Sequence, residues 1–333
     1  MLNPFDTDAF NVYQLTSAIN VLPNRYGRIR EMNLFPVKPR RSRSIVLEEK
    51  HGVLTLIPSA PVGSPGGQNV SGKRKVRTFT VPHFPLDDVI LPDEFQDVRA
   101  FGTDSQLREL ADIINEKMQE MKDKHDITLE NLRMGAVKGK IPDADGSLIY
   151  DLFNEFGITQ NSVNFSLDTD STDVRGKCFA VTRHIEDNLK GEIMSGVHCL
   201  CSGTFMDKLI NHPNVYETFL YQSSGQLRDD VRKNFNFAGI TFEEYRGKVD
   251  NPSGSQQNFI ADGEAHFFPR GTNNTFFTAV APADFNETVN TRGRLYYAKQ
   301  MPRKFDRGVD LHTQSNPLPM CARPGVLVKG TAT

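Results

Sequence analysis

From residue 103 to 138 the apolar positions recur every three or four residues. Leu107, Leu110, Ile114, Met118, Met121, His125, Leu129, Leu132 and Ala136 form one stripe, the spacing of one face of an α-helix. The stripe keeps its phase through His125-Asp126-Ile127-Thr128, predicting a single helix, straight or bent at that point. Thr103 with Gln106 forms a capping box and Gly139 ends it. At 1.5 Å per residue it runs about 50 Å, longer than a compact domain needs, and reads as a spine. Upstream, Phe10, Leu15 and Ile19 predict a short helix over 8–20, stopped by Pro23.

Other periods flank these helices. Residues 21–44 carry three prolines and repeated Arg and Lys, predicting an extended basic arm that either docks on a partner or stays mobile, instead of packing. SIVLEE (44–49), GVLTLIP (52–58) and KVRTFTVP (75–82) read as strands of a long antiparallel hairpin. In the last, Val76, Thr78 and Thr80 alternate with Arg77, Phe79 and Val81. The tip, PSAPVGSPGGQNVSGKR, has no apolar period and is flexible until something holds it. A second hairpin turns at Asp145-Gly146. After a polar stretch at 160–175 an α/β pattern follows. Residues 178–188 read as strand then polar segment, 195–202 as a strand, 204–213 as a short helix capped by Ser202 or Thr204, 227–235 as helical and 239–247 as a strand. That pattern predicts a second domain with its own sheet.

Composition narrows the setting. A chain of 333 residues can hold two structural domains, and a net charge of −2 confines any basic surface to a local patch. Cys178, Cys199, Cys201 and Cys321 are too scattered for a disulfide framework, which suits a reducing interior. The first thirty residues lack the pattern of a signal peptide, and no apolar run is long enough to span a bilayer. The expectation is a soluble intracellular protein whose core is built from its 23 Phe and aliphatic residues, without Trp.

Each chemical candidate meets a plainer reading. Gly67 to Lys73 spells G-x-x-x-x-G-K, but Arg74 stands where a P-loop needs Ser or Thr for magnesium. Pro58, Pro61 and Pro65 precede it and a strand pattern follows. His198-Cys199-Leu200-Cys201 has no second ligand pair downstream, and strand alternation puts the two Cys on one face with His198 on the other, as buried core residues. Asp143-Ala144-Asp145-Gly146 lacks the remaining ligands of a calcium loop and reads as a turn. The adjacent acids Asp87-Asp88, Asp229-Asp230 and Glu243-Glu244 diverge on either a strand or a helix. No catalytic residue, cofactor or metal is assigned. The basic cluster Lys73, Arg74, Lys75 and Arg77 lacks the interleaved aromatics of a nucleic-acid surface, and an acidic protein surface fits at least as well.

The order of arm, finger, spine and α/β domain comes with motifs near the C-terminal end. Pro282-Ala283-Asp284, Glu287-Thr288-Val289-Asn290, Tyr297-Ala298-Lys299 and Gln314-Ser315-Asn316-Pro317-Leu318, with Leu91 to Glu94 and Lys138-Gly139-Lys140, resemble the tailed-phage major capsid proteins related to the lambda head protein. The resemblance spans nearly the whole chain and is strongest in its last sixty residues. It implies an α+β chain with the Hong Kong 97-type capsid fold. In that fold an N-terminal arm (1–44) reaches a neighbouring subunit and an extended E-loop (45–85) lies over another. A peripheral domain (86–170 with 300–333) carries the spine, and an axial domain (171–299) lines the capsomer centre.

The implied function is a major capsid protein. It would self-assemble as pentamers and hexamers into the icosahedral head enclosing the double-stranded DNA of a tailed bacteriophage, without catalysis. Implied partners are further copies of the chain, scaffold and portal proteins, a decoration protein and weakly held DNA, with no membrane. The setting is the virion, assembled in the host bacterial cytoplasm. Lys73, Arg74, Lys75 and Arg77 in the finger, and Arg40, Arg41 and Arg43 in the arm, are the contact candidates. Some relatives cross-link a Lys to an Asn between subunits; Lys73 and Lys75 lie in the E-loop, but no cross-link is expected here. The alternatives are an encapsulin-like nanocompartment shell and a P-loop nucleotide-binding enzyme.

Overall fold

The computed structural model describes residues 12–21, 27–50, 74–92, 106–222, 231–250 and 254–333. The spine is one helix, Gln106–Lys138, of 33 residues. Ile114, Met118, Met121, His125, Leu129, Leu132 and Ala136 are all buried along it. Gly139 ends it at φ 78°, where a side chain would strike the Phe153 ring, so only glycine fits the turn. Thr103 and the side chains of Leu107 and Leu110 lie outside the described residues.

The spine is long because it serves two cores. Its N-terminal half, through Ile114, Met118 and Met121, joins Leu15, Ile19, Ile90, Tyr296, Val309 and Leu311. These come from helix Val12–Val21 and from an antiparallel sheet of Phe84–Ile90, Val309–Ser315 and Tyr297–Pro302. Its C-terminal half, through Leu132, Met134, Ala136 and Val137, enters the larger core. That core surrounds a six-stranded mixed sheet in the order Asn161–Asn164, Val328–Thr331, Glu264–Arg270, Gly196–Cys201, Ile240–Glu244, Phe235–Phe237. Phenylalanines fill it: Phe165 stacks on Phe267 and meets Phe205 edge-on, both at 5.5 Å between centroids.

Several expected elements are present. The finger strands Ser44–Lys50 and Arg74–Thr80 pair antiparallel, Ile45 opposite Phe79. The hairpin Lys140–Pro142 with Leu148–Asp151 turns at Gly146, φ 87°. Helix Gly203–Asn211 is capped by Ser202, which accepts from the Phe205 N–H. Gly52 to Pro58 and the finger tip lie outside the described residues.

Others differ. Residues 178–188 belong to helix Val174–Leu189, capped by Asp173. Its buried positions Val174, Cys178, Val181, Ile185 and Leu189 are helically spaced, but the contiguous run Cys-Phe-Ala-Val obscures that period. The arm is not wholly extended. Arg28–Glu31 forms a helical turn, Val37–Pro39 pairs parallel with Thr278, Ala279 and Val280 of the strand Phe276–Val280, and Ile29, Leu34 and Phe35 are buried. Three apolar side chains between the basic ones suffice to dock the segment. Of 227–235, the described part is a short 3₁₀ turn, Val231–Lys233, leading into strand Phe235–Phe237. His198 is buried together with Cys199 and Cys201, because their strand is interior to the sheet and covered on both faces. The sheets also cross the expected domain limits. Asn161–Asn164 and Val328–Thr331 sit in the large sheet, and the limit at 299/300 falls inside strand Tyr297–Pro302.

Candidate assembly surface

The finger leaves the body with two unlike faces. On one, Phe79 is fully buried, edge-on to Tyr150 at 5.3 Å and stacked over Phe156 at 6.3 Å. The Tyr150 hydroxyl accepts from the Thr80 N–H at 2.8 Å and donates to the Thr80 carbonyl at 2.9 Å. Arg77 lies over the Phe156 ring at 4.4 Å and donates to the Glu155 and Phe156 carbonyls at 2.9 and 3.3 Å. Those carbonyls close the helix Leu152–Phe156, where a cation is favoured. On the opposite face Val46 and Val76 are 54% and 58% exposed. This strand pair therefore has a fixed base and an outer face on which Val46 and Val76 have little cover from the described residues.

The basic candidates separate accordingly. Arg77 is committed within its own chain, while Lys75 is exposed, its backbone opposite that of Glu49 in the strand register. Lys73 and the Arg74 side chain lie outside the described residues. In the arm, Arg41 and Arg43 are exposed. Arg40 is half-buried: its N–H donates to the Val280 carbonyl and its carbonyl accepts from the Gly293 N–H, each at 2.8 Å.

A buried polar seam clasps the arm to the spine. The Ile29 N–H donates to Glu130 Oε1 at 2.7 Å, and Arg30 reaches Asp126 at 3.5 Å. Tyr296 donates to Asp126 and Tyr245 to Glu130. Arg28 makes a two-point contact with Glu243 at 2.6 and 3.1 Å, and His198 stands 3.2 Å from the same carboxylate. Burial pushes the Asp126 and Glu130 carboxyls up, since an ionised carboxylate loses hydration there. Burial works the same way on Glu243, but hydrogen bonds from His198 and Arg28 outweigh it and hold that carboxyl below its usual range. Sequence periodicity gives no hint of this seam, because Lys122, Asp126, Glu130 and Arg133 read as the solvated face of the spine.

The C-terminal motifs converge on one another. Asn316 donates to the Pro282 carbonyl at 2.9 Å, accepts the Ala281 N–H on its own carbonyl at 3.0 Å, and lies 2.8 Å from His83. Gln314 donates to Asp284 at 2.7 Å, holding that carboxyl below its usual range. Lys299 pairs with Glu287 at 2.9 Å and lies over the Phe285 ring, and Thr288 donates to the Ala283 carbonyl at 2.8 Å. Pieces far apart in sequence thus lock the small sheet to the strand Phe276–Val280. Beyond this lock, hairpin residues 302–309 raise Phe305, 88% exposed and at φ 64°, a backbone region costly for a phenylalanine.

None of these groups forms a reactive constellation. Among the described residues no three His, Cys, Asp or Glu side chains are grouped to hold a metal. The thiols are buried, and burial raises Cys178 and Cys321 to about 12 and Cys199 well above its usual value. A strand, not a helix, follows Lys73. No helix among the described residues is long and apolar enough to cross a membrane.

The sequence pattern of the family described as Phage major capsid protein E matches residues 11–332. The chain belongs to that family. The major capsid protein of Pseudomonas phage KPP10 is 32% identical over 97% of both chains. That of Salmonella phage Felix O1 is 29% identical over 98% of both. Among solved structures, a candidate capsid protein of a prophage in E. coli CFT073 superposes with a TM-score of 0.61 at 16% identity, covering 97% of this chain and 99% of that one. The mature capsid of bacteriophage PhiM1 gives 0.53 at 12%, covering 94% and 88%. At those identities the likeness is one of fold, and the fold is the Hong Kong 97-type capsid fold in its mixed helix-and-sheet form. This phage major capsid protein is a self-assembling component of the virion.

Proposed function

We propose that this capsid protein forms pentamers and hexamers that close an icosahedral head around the double-stranded DNA of a tailed phage. In this reading the finger (45–85) docks on a neighbouring copy, and the arm (1–44) reaches one through its exposed basic stretch around Arg41 and Arg43, while Ile29 to Pro39 stay clasped to their own subunit. The observation that carries it is the two-faced finger: Phe79, Arg77 and Tyr150 fix its base, while Val46 and Val76 remain uncovered on the other face. A side chain left exposed in one subunit costs nothing if assembly buries it, and many weak copies of one contact sum to a stable shell.

Lys73, Arg74 and Lys75 then meet an acidic patch on the neighbour, with Arg41 and Arg43 adding contacts from the arm. Scaffold and portal proteins guide assembly in the host cytoplasm, a decoration protein supplements the shell, and DNA is held weakly and without sequence preference. The peripheral part comprises 86–170 with 300–333 and the axial part 171–299, sharing strands at their junction. The protein has no catalytic role, and its shell is held without covalent cross-links. Negative-stain microscopy of the expressed chain tests the reading: closed shells are expected, and small soluble oligomers under every condition, with or without scaffold, would contradict it.

A further inference from the structure

Behind the arm clasp lies a partly enclosed cavity of about 210 Å³, lined by Arg30, Asn33, Phe35, Val37, Arg133 and Leu295. Its walls join the arm, the spine and the segment leading into strand Tyr297–Pro302. Arg133 is 5% exposed, and its Nε finds no hydrogen-bond acceptor among the described residues; the same holds for Arg30 Nη1, while Asp126 Oδ2 and Glu130 Oε2 in the adjoining seam are likewise without a donor there. The nearest carboxylate oxygen to Arg133, Glu130 Oε2, is 3.8 Å away, beyond hydrogen-bond reach. Asp126 approaches Arg30 no closer than 3.5 Å. A buried guanidinium brings five donors in a fixed fork, and leaving them unmet is costly.

Charge points the same way. Of the residues lining the cavity Arg30 and Arg133 are charged, and none is acidic. The volume is below the roughly 300–1,000 Å³ of sites for larger organic ligands. It exceeds several times the roughly 30 Å³ of one water. Phe35, Val37 and Leu295 supply apolar walls that would strengthen a charge-assisted bond inside.

We propose that this cavity binds one small tetrahedral oxyanion, inorganic phosphate in the cell, between the Arg30 and Arg133 guanidiniums. The anion ties arm to spine, so the clasp tightens with phosphate concentration. A phosphate group of nucleic acid shares this chemistry, and the oligonucleotide arm of the test separates the two sources.

The test uses the purified full-length chain, melted in potassium phosphate or sulfate against potassium chloride of equal ionic strength, with calorimetric titration of phosphate. The wild type is expected to show a saturable rise in Tm. Arg133→Gln should weaken phosphate binding by at least about tenfold, the loss of one or two charged hydrogen bonds. Val37→Trp, which fills the mouth from a half-exposed position and keeps both arginines, should remove the saturable response even if Arg133→Gln folds poorly. A general salt stabilisation does not saturate and would be shared by all three proteins. Identical responses in the wild type and Val37→Trp would overturn the assignment. So would a Val37-dependent response to a single-stranded oligonucleotide with none to inorganic phosphate.

Discussion

Replacing Phe79 with Ala removes the ring on which the finger base rests. The ring is fully buried, edge-on to Tyr150 and opposite Ile45. Withdrawing it from water contributes about 2–3 kcal/mol, and the edge-to-face contact adds about 0.5–1.5 kcal/mol. Together with the cavity left behind, the expected loss is about 3–5 kcal/mol. On the same strand, Val76→Ala trims a side chain that is already more than half exposed and should change subunit stability by no more than about 0.5 kcal/mol. Urea unfolding of the unassembled subunit measures both losses, and sedimentation of assembly reactions measures particle yield. Phe79→Ala should fail in both assays, whereas Val76→Ala should fail only in assembly. If the two variants lose equal subunit stability, or Phe79→Ala loses under about 1 kcal/mol, the two-faced finger is wrong.

Reversing Lys73, Arg74 and Lys75 to Glu should leave the subunit folded by circular dichroism while impairing assembly; normal particles of normal stability would remove the docking role of this cluster. Gly139→Ala forces a methyl group into the Phe153 ring at φ 78° and should cost at least about 1–2 kcal/mol in unfolding, enough to lower Tm by several degrees. Burial, with a smaller contribution from His312, lowers His125 to about 4. Because the folded protein resists protonating this ring, its contribution is intact above about pH 6.5 and is lost as pH falls towards 4, by up to about 3 kcal/mol. His125→Gln should flatten stability against pH in that window, as read from urea midpoints. Assembled shells run on reducing denaturing gels should give a single monomer band, and a ladder of covalent multimers would contradict the absence of cross-links.

The spine was legible because one face of a long helix must stay apolar through both cores; Ile114 to Ala136 keep that phase without interruption. The finger strands were legible from strict alternation, which Phe79 and Val76 still obey in the fold. Helix Val174–Leu189 was not, because adjacent apolar residues at Cys178 to Val181 imitate a buried strand. The docking of the arm depends on Ile29, Leu34 and Phe35, too few to form a period. The charged seam is invisible to periodicity, since Asp126 and Glu130 are buried only because distant Arg30, Ile29, Tyr245 and Tyr296 meet them there. In sequence Arg77 is one of four alike basic residues; its seat over Phe156 and its bonds to the Glu155 and Phe156 carbonyls separate it from Lys75. The C-terminal motifs could be read as letters, but not as the hydrogen-bonded lock between Asn316, Gln314 and the segment 281–284.

A cryo-EM map of the assembled particle tests the central claim most directly. The account predicts a closed shell in which the face of the finger bearing Val46 and Val76 is covered by a neighbouring copy, while Phe79 and Arg77 keep their seats on their own subunit. A shell in which that face remains open to solvent, or in which Phe79 leaves its pocket to join the neighbour, would contradict it.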